Sequence, residues 1–110
     1  MKLPNSGRAV VEIEKLRDYC LSMSHPRGRH RAKVFELVLS ITADDAAELR
    51  QALLSAARLL EATPTERDEY GQRFVLDFPL EWHGRRAIIR SSWIVRSGEE
   101  NARLTSCYVL

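Results

Sequence analysis

The sequence predicts an α+β domain in which N-terminal helices pack on one face of a C-terminal antiparallel β-sheet. Three observations carry this. Apolar residues recur at helical spacing between Ile13 and Glu61, and beyond Arg73 the period drops to two. A chain of 110 residues is also long enough for one core and no more, so residues 1–110 read as a single domain.

Residues 1–8 carry Pro, Asn, Ser and Gly and predict an extended lead-in. Leu16, Tyr19 and Cys20, with Lys15, Arg17 and Asp18 outside, predict a short amphipathic helix from Ile13 to Met23. It ends before Ser24-His25-Pro26, because a residue preceding proline is pushed out of the helical region. Gly28 keeps the next residues loop-like, and a second helix starts near Arg29 to Arg31, with Val34, Phe35, Val38 and Leu39 on one apolar face. Thr42 with Asp45 three residues on is an N-cap pattern for a third helix reaching Glu61, with Ala46, Leu49, Leu53, Ala56 and Leu60 inward. Thr63-Pro64 closes it. Phe74, Leu76, Phe78 and Leu80 then alternate with outward residues in a strand over 73–80, and Trp82 to Arg85 reads as a hairpin turn. A second strand covers 87–96 and a third 103–110, joined by the polar turn 98–102.

The composition, 45% hydrophobic and 29% charged, is that of a globular domain and argues against disorder. A net charge of +2 excludes a generic polycation. The basicity is local instead, in 25–33 and in Arg85 to Arg96, which points to a site for an anion. Cys20 and Cys107 lie far apart in apolar runs and read as free, partly buried thiols of a reducing compartment. There is no CxxC, HExxH or zinc-spaced Cys/His cluster, so no metal and no cofactor is expected. With no apolar run of about 20 residues, no membrane segment is expected and the predicted location is cytoplasmic.

The stretch His25-Pro-Arg-Gly-Arg-His-Arg-Ala-Lys33 puts two histidines and four fixed cations into nine residues. Histidine exchanges a proton near neutrality, and Arg and Lys hold phosphates. Cleavage of RNA without metal needs a base, an acid and groups that stabilise charge on phosphorus, because the RNA supplies its own 2′-hydroxyl nucleophile. His30, at the start of the second helix where free N–H groups favour anions, is the candidate base or acid. His25, Arg27, Arg29, Lys33, Arg90 and Arg103 are candidate substrate ligands. Ser91 interrupts the apolar face of Ala87, Ile89, Trp93 and Val95, and Ser106 interrupts that of Leu104, Tyr108 and Leu110. A hydroxyl on such a face needs a partner or costs about 1–3 kcal/mol. The two serines line one polar spot if the strands pair in the right register. The other reading of the same residues is a non-catalytic RNA- or protein-binding module that uses the basic loop 25–33 only for docking.

Several of these residues also form a pattern. Lys15-Leu16 with Tyr19, His25-Pro-Arg-Gly28, His30-Arg-Ala32 and Phe35, then Tyr70-Gly71 with Phe74, Ser91-Ser-Trp93-Ile94 and Arg103-Leu-Thr-Ser-Cys-Tyr108, resemble a family of small bacterial domains of unknown function. Its members occur alone and at the C-termini of polymorphic and contact-dependent toxins. The layout is similar to the barnase/EndoU/colicin/RelE-like superfamily of ribonuclease toxins. That resemblance implies a metal-independent endoribonuclease that leaves 2′,3′-cyclic phosphate ends and is neutralised by a cognate antitoxin or immunity protein. The Gly-x-x-Lys-Ala pattern of such toxins falls on Gly28 to Ala32, which places Arg31 where the Lys stands. Ser91 and Ser106 match strand positions that are often Thr. The resemblance thus implies His30, Arg31, Ser91 and Ser106 as the catalytic set.

Overall fold

The computed structural model describes residues 1–110 and confirms the α+β class. Helix α1 (Ile13–Lys15) continues directly into a π-helical turn over Leu16–Cys20, in which the Leu21 N–H reaches back to the Leu16 carbonyl at 2.8 Å. The regular helix expected to Met23 is therefore short and wide. That widening buries both Leu16 and Cys20.

Helix α2 (Arg29–Leu39) buries Ala32, Phe35 and Leu39, spaced three and four apart. Val34 and Val38, expected on that face, lie outside the core and stay 39% exposed. The helix stops at Ser40, in the left-handed region at φ 58, where the Ser40 N–H bonds Glu36 and the Ile41 N–H bonds Phe35. Thr42 makes the expected reciprocal cap with Asp45: its N–H meets Asp45 Oδ2 at 2.9 Å, and its hydroxyl accepts from the Asp44 N–H at 3.3 Å. The 3₁₀ turn Ala43–Asp45 leads into α3 (Ala46–Leu59), which buries Ala46, Leu49, Leu53, Ala56 and Ala57.

Four strands follow as an antiparallel meander in sequence order: β1 (Thr63–Asp68), β2 (Gly71–Trp82), β3 (Arg85–Arg96) and β4 (Arg103–Val109). The sequence reading lacks β1. All six of its residues are exposed, so no alternation betrays it, and Pro64 and a break in register mark it as an edge. Trp82 and Arg85 pair across a two-residue turn of His83 and Gly84 at φ 48 and φ 83, so the hairpin is tighter than expected. Phe74, Leu76, Phe78, Leu80 and Trp82 of β2 point inward beneath the helices.

The register of β4 decides the site. A bulge between Ser92 and Trp93 sets Ser92 opposite Ser106 but Trp93 opposite Leu104. Leu104 and Cys107 therefore turn inward while Ser106 and Tyr108 turn outward. Cys20 and Cys107 meet in the core as free, buried thiols from the π-helical turn and β4. Their contact lowers the Cys20 pKa, and the same contact together with burial pushes the Cys107 thiol up. Beyond β4, Val10 lies parallel to Arg103, accepting from the Leu104 N–H at 2.9 Å and donating to Ala102 at 2.8 Å. No helix is long and apolar enough to cross a membrane.

Candidate functional site

The helices cover one face of the sheet, and the other face collects the polar residues of β2, β3 and β4. Strand register aligns Asp77, Arg90 and Tyr108 in one row, and Val75, Ser92 and Ser106 in the next, two residues further along β3. Arg90 grips Asp77 with both arms, Nε to Oδ1 at 2.9 Å and Nη2 to Oδ2 at 2.8 Å. That fork holds the Asp77 carboxyl below its usual range and raises the Arg90 pKa further, with Tyr108 contributing to the latter.

Helix α2 supplies the other side of Tyr108. The Arg31 guanidinium sits 4.0 Å from the centre of the Tyr108 ring. The result is a row in which two guanidinium groups flank one phenol: Arg31, Tyr108, Arg90. Arg31 has no carboxylate within salt-bridge distance, and neither do Arg27, Arg29 or Lys33. Ser92 and Ser106 face each other in the adjacent row, and neither hydroxyl is bonded to a protein group, so both are available to a solute. Thr105, on the bulge, instead spends its hydroxyl on the Ser92 carbonyl at 3.1 Å.

The loop that delivers Arg31 is built by His25 and Gly28. The His25 Nδ1 accepts the Arg27 N–H at 3.0 Å and the Gly28 N–H at 3.2 Å, and its ring stands edge-on to Tyr19 at 4.8 Å. His25 is thus committed to shaping the turn. Gly28 presses against the Tyr19 carbonyl, where no side chain fits.

The expected meeting of Ser91 and Ser106 is corrected by the structure. Ser91 is completely buried, donating to the Leu76 carbonyl at 2.6 Å and accepting from Trp93 Nε1 at 2.9 Å. The bulge in β4 puts Ser106 on the opposite face of the sheet, so the serine that looks outward beside it is Ser92. His30 is exposed on the first turn of α2, one residue and about 100° round the helix from Arg31. Arg29 and Lys33 are exposed on the same helix. Arg103 is engaged by Glu12 at 2.9 Å and Glu99 at 3.2 Å, which ties the N-terminal segment to β4 and raises its pKa. It is the one candidate ligand whose charge is already used twice within the domain.

Tyr108 and Asp77 are the residues that sequence reasoning missed. Tyr108 belongs to an apparent apolar alternation that the bulge breaks. Asp77 has a signal in hindsight, a carboxylate on the outer face of a strand whose hairpin partner carries Arg90.

One consequence is measurable by pH. The Asp77 carboxyl is stronger in the folded state than unfolded, so its contribution to stability is fully present above about pH 5. It is lost as pH falls below the unfolded carboxylate's pKa of about 3.9 toward the lower pH at which the folded carboxylate takes up its proton. Melting curves from pH 6 to 2.5 should therefore show wild type and Asp77→Asn converging in acid. A constant gap between them would show that the fork contributes no pH-linked stability.

The chain matches, over residues 2–110, the family described as a domain of unknown function (DUF6883), and it belongs to that family. No curated protein and no solved structure matches it.

Proposed function

We propose that this DUF6883 domain is a metal-independent endoribonuclease of the toxin type, which holds RNA phosphate on the outer face of its sheet at the Arg31–Tyr108–Arg90 row. The observation that carries the reading is this row, where two guanidinium groups flank one tyrosine side chain on a face that no helix covers. Arg31, without a carboxylate, is the primary phosphate ligand, and Arg27 extends the cationic surface. Arg90, oriented by Asp77, faces charge that builds on phosphorus. Ser92 and Ser106 donate to non-bridging oxygens.

The 2′-hydroxyl oxygen of the RNA attacks phosphorus and the 5′-oxygen of the next nucleotide leaves with a proton, giving a 2′,3′-cyclic phosphate. His30, beside Arg31, is the group that takes the proton the 2′-hydroxyl gives up or supplies the one the 5′-oxygen gains, and water exchanges the other. A cognate antitoxin or immunity protein keeps the activity masked in the cytoplasm. The catalytic part of this reading rests on a likeness of layout to ribonuclease toxins, and the phosphate-binding part rests on the row.

One observation favours a second reading, a non-catalytic RNA- or protein-binding module. His30 makes no hydrogen bond that would fix its ring, and it lies on a different strip of α2 from Arg31.

A single assay separates the two. Purified protein is incubated with total RNA in EDTA, and fragment ends are scored for cyclic phosphate. Catalysis predicts cleavage by wild type, a loss of about 10²–10³-fold in Arg31→Ala and Arg90→Ala, and a loss of about 10²–10⁴-fold in His30→Ala. Intact RNA at high protein excess, with no toxicity on expression, would falsify the nuclease reading. Salt-sensitive binding that survives His30→Ala but fails in Arg31→Ala would then identify the binding module.

A further inference from the structure

Helix α2 carries a second face that its own domain leaves unused. Ala32, Phe35 and Leu39 enter the core, but Val34, Leu37 and Val38 point away from it, at the i, i+3, i+4 spacing of a helix-packing ridge. Leu37 is 67% exposed, and Val34 and Val38 are each 39% exposed. Three aliphatic side chains on one short helix are left in water.

The charges around this ridge have one sign. His30 and Arg31 stand one turn before Val34, and Arg27 precedes them. At the other end Arg85 reaches across from β3 to donate to the Leu37 carbonyl at 3.3 Å. None of Arg27, Arg31 and Arg85 has a carboxylate partner. The only carboxylate of the helix, Glu36, lies about 100° round from Leu37, on the strip of Arg29 and Lys33.

We propose that this face of α2 is a docking surface for an acidic amphipathic helix of a partner protein. Apolar side chains of that helix pack on Val34, Leu37 and Val38 while its carboxylates meet Arg27, Arg31 and Arg85. The ridge is aliphatic, which favours a protein over RNA, since bases are gripped by aromatic platforms. A second copy of this chain packed symmetrically would set the same cations against each other, which costs rather than gains free energy. The surface stands on its own geometry. That its occupant, in covering Arg31, also blocks a phosphate site rests on the function proposed above.

The test uses the full chain, isotopically labelled, and a synthetic helical peptide with Leu at every third or fourth position and Glu and Ala between. Saturable amide shifts centred on residues 30–38 are expected at about 100 μM peptide. Affinity should fall about tenfold or more in Leu37→Asp and in Arg31→Glu, and binding should vanish when Lys replaces Glu in the peptide. Absence of saturable shifts, shifts centred elsewhere, or unchanged affinity in Leu37→Asp overturns the proposal. So do α2 shifts that depend on protein concentration alone, which would mean that a second copy fills the face. Leu37→Asp should leave RNA cleavage unchanged. A wild-type protein that binds the peptide but cleaves no RNA keeps the docking surface and removes the nuclease.

Discussion

Gly28→Ala should destabilise the domain by about 2–3 kcal/mol, the range for forcing atoms into a packed site that cannot yield. The reason is space, since Gly28 has an ordinary backbone conformation at φ −91. A methyl group there would run into the Tyr19 carbonyl oxygen, and it would also lie 3.1 Å from the carbonyl carbon and 3.3 Å from the Tyr19 ring. The first two are backbone atoms of the π-helical turn, so no rotamer change clears them. Relief requires the basic loop to lift off Leu16–Cys20, taking with it the His25 hydrogen bonds and the seat of Arg31 on Tyr108. Gly7→Ala, which meets nothing within 4 Å, is the matched control and should stay within about 0.5 kcal/mol of wild type. Urea denaturation of the two variants measures the difference. Equal midpoints would show that the loop is not wedged against the turn.

Ser91→Ala should cost about 2 kcal/mol although it removes a single oxygen. That oxygen serves two neighbours, giving its proton to the Leu76 carbonyl and accepting from the Trp93 indole N–H. The side chains of Ser91 and Trp93 are sealed from water, so the orphaned indole N–H has no substitute. The cost should therefore depend on the tryptophan. In a Trp93→Phe background, where that N–H is already gone, Ser91→Ala should cost clearly less, about 1 kcal/mol. Equal costs in both backgrounds would show that the hydroxyl and the indole act independently. The outer face, with Arg31, Tyr108 and Arg90, should keep its arrangement in the folded variant.

The elements with strong periodicity were legible in the sequence, and those without it were not. Alternation in Phe74 to Leu80 and the Thr42–Asp45 cap mark β2 and the entry to α3. Thr63–Asp68 has neither pattern nor burial, and forms a strand only because β2 presents a free edge. Within α2, four apolar residues suggested one buried face. Helical geometry has room for Phe35 and Leu39 inward, and turns Val34 and Val38 out.

The candidate site was legible to the extent that it is local. The cations of 25–33 sit on a loop and helix entry as their spacing implied, but α2 divides them: Arg31 turns to Tyr108, while Arg29 and Lys33 lie on another strip of the helix. What joins Arg31 to Arg90 is Tyr108, and its orientation follows from one extra residue in β4, a feature without a sequence signature. Ser91 shows the reverse case: a hydroxyl on an apolar alternation has two explanations, a cleft or a buried partner. The nearby indole that supplied the partner was visible two residues on.

The thiol pair of the core offers a clock. Cys20 belongs to the π-helical turn that supports the basic loop, and Cys107 sits beside Tyr108 in β4, so the two elements that assemble the site are also those that seal the sulfurs. A thiol-specific reagent reaches them only when these elements part. Its rate of uptake therefore reads the frequency of that parting, in local or global opening. Whatever ligand draws Arg31 and Arg90 together across Tyr108 should slow the clock, with no need to know its identity or to observe a reaction.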